Sequence, residues 1–286
     1  MNNEKTRFSR LKTIISDNKV ATIAAIYFII ILIISFLAPI LPFKDPNDGS
    51  LINSLVPPGL FNKESSEFLL GTDRFGRDIL SRIFYGARAS LSISLISTVL
   101  SMVIGTVLGM LSGYIRSFDT IITRIVDVEL AFPSIVLSIV MVAALGGSSV
   151  INLIIVLTIR GWVQYTRIVR SVVLTLRESL LIESCRCIGA SKLRIIFVHI
   201  LPNVISSSVA VATIQFPQLI IQESSLSFMG LGIPITVPSW GGMLEEGQQV
   251  IYSAWWPVVF PALAIGSVVF AGVIVGNKIS RRFERT

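Results

Sequence analysis

Four polar side chains stand together within an apolar stretch late in the chain, where they could form hydrogen bonds inside a membrane. Gln215, Gln218 and Gln222 are separated by three and four residues, a spacing that places them on one helix face, and Glu223 follows directly. A charged side chain at the bilayer centre costs about 2.5–3.5 kcal/mol on insertion scales, so it normally faces protein or water. Pro217 lies among them and loosens the backbone hydrogen bonds. The pattern indicates either a wall of a polar translocation path or a polar contact with a partner chain.

A second polar segment, ESLLIESCRCIGASKLRIIFVHILPN, runs from Glu178 to Asn203 between two apolar stretches. Helix-forming residues continue to Cys187, Gly189 interrupts them, and Ser191 is a suitable N-cap for a second helix. The predicted helix–turn–helix is too apolar to lie fully in water. It is therefore either an amphipathic connector on the bilayer surface or a docking surface for a partner.

Sequence motifs of catalysis and nucleotide hydrolysis are absent. The chain has no G-x-x-x-x-G-K-[ST] loop, no H-E-x-x-H and no G-x-S-x-G, so any ATP that drives it must be bound by another subunit. His199 is the only histidine, which excludes a multi-histidine metal site. Cys185 and Cys187 do not share a helix face, which predicts two separate thiols and not a chelating pair. We expect no catalytic residue, no metal and no cofactor in this chain.

The composition indicates that these residues belong to a membrane protein and not to a water-soluble domain. Of 286 residues, 52% are hydrophobic and 14% are charged, whereas a soluble domain has about 25% charged residues. A transmembrane helix needs about 20 mostly apolar residues, so the chain is predicted to be an all-α polytopic membrane protein. Six transmembrane helices are expected, at residues 20–42, 90–114, 127–146, 150–171, 204–231 and 256–278. The third and fourth are divided at LGGSS, where glycine and serine favour a turn.

Basic residues set the orientation of these helices. Lys and Arg are concentrated in the N-terminal tail, the second and fourth connections and the C-terminal tail, whereas acidic residues balance them in the first connection. Short basic connections stay cytoplasmic, so both termini and the segment 178–203 are expected in the cytoplasm. The net charge of +7 then reflects topology and contact with anionic lipid, and it indicates no nucleic-acid partner.

Small residues recur at every fourth position of the second predicted span. They are Ser97, Ser101, Gly105, Gly109 and Gly113. Spacing of four keeps them on one face, where small residues let a second helix approach closely. Gly272 and Gly276 predict the same kind of packing for the last span.

The stretch ESCRCIGASKLRIIFVHILPN resembles the EAA loop of permease subunits of ATP-binding cassette importers. That pattern reads Glu-Ala-Ala, three residues to Gly, nine more, then Ile-x-Leu-Pro. The residues in register are Glu183, Gly189, Leu201 and Pro202. Ser184 and Cys185 take the places of the two alanines, and His199 takes the place of the isoleucine.

Three further stretches narrow the resemblance to the dipeptide/oligopeptide/nickel permease family. LLGTDRFGRDILSRIFYGARASL is similar to the segment before that family's second span, and DVELAFPSIVLSI is similar to its third span. ESSLSFMGLGIPITVPSWGGMLEEG is similar to its fifth span and the loop that follows. Together with RIVRSVVLTLRES before the EAA loop, the resemblance covers residues 67–286 and points to the C-type permease of such systems.

The resemblance implies one of two transmembrane subunits of a bacterial uptake transporter with the type I importer fold, in the cytoplasmic (inner) membrane. The implied partners are a second homologous permease, two cytoplasmic ATPases that bind ATP and Mg, and an extracytoplasmic solute-binding protein. The implied parts are a cytoplasmic tail (1–19), a first transmembrane helix (20–42), an extracytoplasmic segment (43–88), a five-helix transporter domain (89–279) with a coupling loop (172–203), and a cytoplasmic tail (280–286). The implied ATPase-coupling residues are Glu183, Arg186, Gly189, Ala190, Ser191, Leu201 and Pro202.

The sequence leaves alternatives open for the transported cargo and for the energy source. Short peptides are the cargo that the resemblance implies first, and nickel or a metal–metallophore complex is the second. The missing catalytic motifs argue against a membrane-embedded enzyme, and the absence of a detectable internal repeat argues against an ion-driven secondary transporter. We expect ATP-driven alternating access of a path to which the four polar residues at 215–223 contribute.

Overall fold

The fold is a bundle of long helices, described by a computed structural model for residues 19–60 and 67–283. Almost all of the predicted tail 1–19, and residues 284–286 of the other tail, lie outside these ranges. The helices are α1 (Lys19–Leu37), α2 (Ile79–Tyr114), α3 (Arg116–Ala131), α4 (Ser134–Ala144), α5 (Val150–Arg177), α6 (Leu180–Cys187), α7 (Leu201–Phe228), α8 (Trp240–Gln248) and α9 (Trp256–Phe283). The predicted all-α class is confirmed, because the described ranges contain no strand and only isolated β-bridges.

Four helical stretches in the described ranges are long and apolar enough to cross a membrane: α1, α2, the continuous helix Ile195–Phe228 and α9. The pair α3–α4 makes a fifth if the two helices form one broken span. Helix α5 has 28 residues but is less apolar, because Arg160, Arg167 and Arg170 lie within it. Length and composition therefore reproduce four or five of the six predicted spans.

The predicted third span is not one helix. Helices α3 and α4 are bent by 101° where they meet at Phe132 and Pro133. A proline ring disfavours the helical conformation of the residue before it, and Phe132 is accordingly extended, with φ −97° and ψ 140°. The expectation of a continuous helix over 127–146 is wrong because the apolar content of this stretch conceals a helix-breaking proline.

Two boundaries of the first two predicted spans also differ from the prediction. Helix α2 begins at Ile79 and not near residue 90, since the Asp78 side chain caps it by accepting a 2.9 Å hydrogen bond from the Ser81 amide. The arginines in its first turns, Arg82 and Arg88, mask this start in a hydropathy reading. Helix α1 ends at Leu37, so residues 38–42 are turns and not the last part of a span.

Helix α2 packs along α5 through its row of small residues. A Cβ atom added to Gly105 would lie 2.5 Å from the Trp162 carbonyl oxygen, and one added to Gly109 would lie 2.7 Å from Val169 Cβ. The Ser101 hydroxyl donates a 3.1 Å hydrogen bond to the Thr158 carbonyl of α5. The two backbones are therefore close enough that only hydrogen fits at the glycine positions.

The last span makes a similar contact with α7. A Cβ atom added to Gly272 would lie 2.7 Å from Cγ of Pro217, and Gly276 faces the Thr213 carbonyl. The proline ring thus fills the space that the glycine leaves, which fixes α9 against the middle of α7.

We expect Gly109→Ala to lower the stability of the chain by about 1–3 kcal/mol, because the added methyl group overlaps Val169 in a packed interface. The matched control is Gly266→Ala in α9, where an added Cβ meets nothing within 4 Å. Melting of the detergent-solubilised protein measures both. The control should melt at or slightly above the wild-type temperature, and equal melting of the two variants would contradict the close α2–α5 contact.

Candidate functional site

The segment between α5 and α7 forms a compact bend, which we call the elbow: α6, the turn 188–191, the helical turn Lys192–Arg194 and the π-helix Ile195–Ile200. Gly189 adopts φ +78°, a left-handed conformation that glycine reaches without steric cost. The Ala190 amide donates to the Cys185 carbonyl, and the Gly189 amide donates to the Arg186 carbonyl, both at 3.0 Å. These two bonds are those of a Schellman helix ending.

The second arm of the elbow begins with a cap. The Ser191 hydroxyl accepts a 3.3 Å hydrogen bond from the Arg194 amide, as an N-cap side chain does. The helix then continues through the π-helix into α7 without a break, and Pro202, the second residue of α7, has no N–H to donate at this junction. The helix–turn–helix geometry expected for this segment is present.

The elbow has one buried and one exposed apolar face. Ile182, Ile195 and Ile200 are at most 1% exposed and pack against Val169 and Val173 of α5. The exposed large apolar side chains are Leu180, Leu181, Ile188, Leu193, Phe197 and Val198, of which Ile188 is 82% exposed. The elbow is therefore packed against the bundle on one side and exposes several large apolar side chains elsewhere.

The residues proposed for ATPase coupling lie mostly on the exposed side. Glu183, Arg186, Gly189, Ser191 and Pro202 are exposed, whereas Ala190 and Leu201 are half-buried. The turn and the charged positions are thus accessible together at one end of the bundle.

An ion pair next to the elbow joins three helices. Arg170 of α5 holds Asp119 of α3 with two hydrogen bonds, of 2.5 and 2.8 Å, and the Ser112 hydroxyl of α2 donates to the same carboxylate at 2.6 Å. Arg177 donates a 3.3 Å hydrogen bond to the Gly113 carbonyl of α2. Sequence reasoning missed this cluster because its members are far apart in the chain and carry no motif.

A shallow groove of about 200 Å³ lies between α4 and α7. Its lining residues are Ser134, Ile135, Ser138, Ile221, Gln222, Ser225 and Leu226. The Ser138 and Ser225 hydroxyls donate to carbonyls of their own helices, at 2.9 and 2.7 Å, which leaves their oxygens free to accept. The lining therefore combines apolar side chains with a few neutral hydrogen-bonding groups and carries no charge.

The four polar residues predicted for a path do not form one surface. Gln222 lines the groove and Gln218 is exposed, whereas Gln215 is buried. Glu223 is fully buried and accepts hydrogen bonds from the Ser227 hydroxyl at 2.8 Å and the Ser224 hydroxyl at 3.2 Å. Consecutive residues on a helix point about 100° apart, so Glu223 turns away from the groove that Gln222 faces.

At the other end of α2, a buried group of charges links the connection before α2 to α8. Arg77 contacts Asp73 at 2.7 Å and Glu246 at 2.5 Å, and Arg82 contacts Glu246 at 3.0 Å. All four side chains are at most 10% exposed. Their spacing in the sequence gave no signal of this cluster, because Glu246 comes from a distant connection.

The Glu246 carboxyl is strongly affected by its surroundings. Burial raises its pKa above the ordinary value of 4.5, and the charges of Arg82 and Arg77 offset part of that rise. The folded chain therefore holds this proton at pH values where the unfolded chain has released it. Its contribution to stability is greatest below pH 4.5 and is lost as the pH rises through the raised pKa.

We expect Arg77→Met to destabilise the chain by about 3–5 kcal/mol at neutral pH, because it leaves two buried carboxylates with one arginine. The deficit should shrink on acidification, since protonated Glu246 no longer needs that charge. Arg74→Met is the control, because half-buried Arg74 donates to the neutral Gln249 amide and its charge acts on Glu246 more weakly than those of Arg82 and Arg77. Thermal melting across the pH range distinguishes the outcomes, and a deficit independent of pH would contradict the role of Glu246.

Comparison with known proteins gives a consistent result. Residues 101–285 match the family described as binding-protein-dependent transport system inner membrane component. A putative peptide transport system permease protein of Brucella suis biovar 1 (strain 1330) is 38% identical over 255 residues, covering 89% of this chain and 84% of that protein. The dipeptide transport system permease protein DppC of Alkalihalophilus pseudofirmus is 39% identical over 271 residues, covering 94% and 86%. The oligopeptide transport system permease protein OppC of Bacillus subtilis (strain 168) is 34% identical over 262 residues, covering 91% and 84%.

Two solved structures share the fold. An inward-facing structure of the MetNI methionine ABC transporter aligns with a TM-score of 0.53 at 20% identity, over 69% of this chain and 94% of that chain. An amino acid ABC transporter crystallised with histidines aligns with a TM-score of 0.56 at 13% identity, over 71% and 94%. The predicted transmembrane fold of type I ABC importers is thereby confirmed.

Proposed function

The chain belongs to the family of binding-protein-dependent transport system inner membrane components, and we propose that it is a permease subunit that carries short peptides by ATP-driven alternating access. The observation that carries this proposal is the elbow, whose EAA-like residues surround an exposed apolar surface on a rigid support. Peptide transport is named for the similar proteins of Brucella, Alkalihalophilus and Bacillus, which supports peptides over nickel as cargo.

The elbow is the surface on which a cytoplasmic ATPase would dock. Its apolar side chains provide the desolvated contact, and Glu183 and Arg186 provide charges beside it. Gly189 keeps the two arms at a fixed angle because its backbone bonds close α6. A pull on the elbow would reach α5 through the buried isoleucines, and it would reach α2 and α3 through Arg170 and Asp119.

The groove between α4 and α7 is our candidate for this subunit's share of the path. Neutral serine and glutamine groups suit the amide and carbonyl groups of a peptide backbone, and apolar surface between them binds side chains weakly. Nickel prefers imidazole nitrogens, and none lines this groove. Weak, uncharged contacts let a cargo leave as easily as it enters.

The other subunits of the transporter are inferred from the missing nucleotide-binding motif and from the family of the chain. The sequence carries no nucleotide-binding motif, so two ATPase subunits would bind ATP and Mg. A second homologous permease would complete the path, and a solute-binding protein would deliver the cargo on the extracytoplasmic side. The distribution of basic residues supports a cytoplasmic position for both termini and the elbow in a bacterial cell.

Uptake by the reconstituted complex tests this function. Proteoliposomes that contain both permeases and both ATPases should accumulate a dipeptide only with ATP on the cytoplasmic side and loaded binding protein on the other. Uptake driven by a proton or sodium gradient without ATP would instead support a secondary transporter. Accumulation of Ni²⁺ in place of the dipeptide would support the metal alternative.

Glu183→Lys should reduce peptide uptake about tenfold or more, which corresponds to about 1.4 kcal/mol of lost docking free energy. The control is Glu178→Lys, since Glu178 is also an exposed glutamate but precedes α6. Membrane insertion of both variants should be normal, as measured by the amount of chain in the membrane fraction.

A second variant tests the turn. Gly189→Pro forces φ to about −65°, whereas the turn requires +78°, so uptake and ATPase association should both fail. Normal uptake by both Glu183→Lys and Gly189→Pro would refute the coupling role of the elbow.

A further inference from the structure

A thiol and an imidazole meet across the elbow. Sγ of Cys185, in α6, lies 3.5 Å from Nε2 of His199, in the π-helix, and both side chains are half-buried. The Gly189 turn brings together these two residues, which are 14 positions apart in the sequence. Cys187 is exposed, which matches the expectation that the two cysteines point apart.

The separation of these two atoms is that of ligands on one metal ion. Zinc–sulfur bonds are about 2.3 Å long and zinc–nitrogen bonds are about 2.0–2.1 Å long. At a tetrahedral angle these lengths place the sulfur and nitrogen about 3.6 Å apart. The observed 3.5 Å, the length of a thiol–imidazole hydrogen bond, is close to this value, so an ion that replaces the hydrogen bond would leave the two donor atoms at nearly the same separation.

The Cys185–His199 pair is not part of the EAA-like pattern. Alanine occupies the Cys185 position in that pattern, and isoleucine occupies the His199 position. Neither of those residues binds metal, so this pair of donors arises from two separate departures. The same comparison supplies alanine and isoleucine as replacement residues for positions 185 and 199.

We propose that Cys185 and His199 form a two-donor site for a thiophilic divalent cation such as Zn²⁺. The ion would bind the Cys185 thiolate, which releases its proton to solvent, and the neutral His199 imidazole through Nε2. Among the residues that the structure describes, no group of three or more His, Cys, Asp or Glu side chains could hold a metal. Water completes the coordination, and the site is a reversible one that responds to free metal.

An ion at this position would join the two arms of the elbow. Its bonds would add a rigid link between α6 and the π-helix, in addition to the packing of Ile182 against Ile195 and Ile200. If the elbow couples ATPase motion to the path, as we propose above, an ion with its bound waters beside the exposed apolar side chains would interfere with ATPase docking and so slow transport. This consequence rests on the proposed function, whereas the site itself does not.

Cadmium binding by the full-length chain in detergent tests the site directly, because the chain has only two cysteines. The cadmium–thiolate absorption band is followed in a Cys187→Ser background, in which only Cys185 remains. We expect one Cd²⁺ per chain, displaced by Zn²⁺, with the band lost in Cys185→Ala and the affinity at least about tenfold weaker in His199→Ile, or about 1.4 kcal/mol. An affinity unchanged by His199→Ile, or no binding at all, would overturn the proposal.

Measuring peptide uptake by the assembled transporter with and without Zn²⁺ distinguishes failure of the metal site from failure of the proposed function. Free Zn²⁺ should slow peptide uptake by the wild type and by Cys187→Ser, but not by Cys185→Ala or His199→Ile. If the metal binds and uptake does not change, the site stands and the coupling role of the elbow fails. If Glu183→Lys and Gly189→Pro both leave uptake intact, the coupling role fails in the same way, while the cadmium result still decides the metal site.

Discussion

The close contact between α2 and α5 is the interaction on which the rest of the structure depends. Glycines at positions 105, 109 and 113 of α2 let the two backbones approach until side chains of α5 lie directly on the α2 helix. In a membrane the lipid is as apolar as leucine, so helix association depends on such packing and not on exclusion of water. Helix α5 carries the elbow at one of its ends. The position of the elbow is therefore set by a row of residues that have almost no side chain.

Charged groups complement this packing where it ends. Arg170 and Asp119 join α5 to α3 beside the elbow, and Arg160 contacts Glu129 at 2.9 Å near the bend between α3 and α4. The group around Arg77 and Glu246 fixes the opposite end of α2 to α8. Ionisable side chains within or near a membrane are expensive unless they are paired, so each pair constrains which helices can be neighbours. Together these pairs bind the ends of a bundle whose middle is held by small residues.

The parts of this fold that could be predicted from the sequence are those with a local cause. Apolar runs predicted α1, α2, α7 and α9, the spacing of small residues marked the α2 face that packs on α5, and Gly189 marked the turn of the elbow. The boundaries of the first two spans were less accurate because hydropathy does not register a capping aspartate or a short turn. The coupling roles of the elbow residues stay predictions.

What could not be predicted depends on contacts between distant residues. The burial of Glu223 depends on the helices that pack around α7, whereas the sequence only placed it next to the three glutamines and grouped it with them as a candidate path residue. The bend at Pro133 was concealed because the apolar residues on either side read as one span. The contact between Cys185 and His199 requires the geometry of the turn, which the residue spacing does not contain.

The elbow and the groove differ in the physical property that each needs. The elbow combines a buried face of branched aliphatic side chains with a turn closed by backbone hydrogen bonds, so force applied to its exposed side is transmitted and not absorbed. The groove borders the bent α3–α4 pair, which lacks a continuous helical backbone at Phe132 and Pro133. Broken backbone is tolerated at membrane depth only where it is buried in protein or lines a cavity. The chain therefore has a hydrogen-bonded turn at one end of α7 and a helix break beside its other end, and the proposed coupling of the elbow to the groove would use this arrangement.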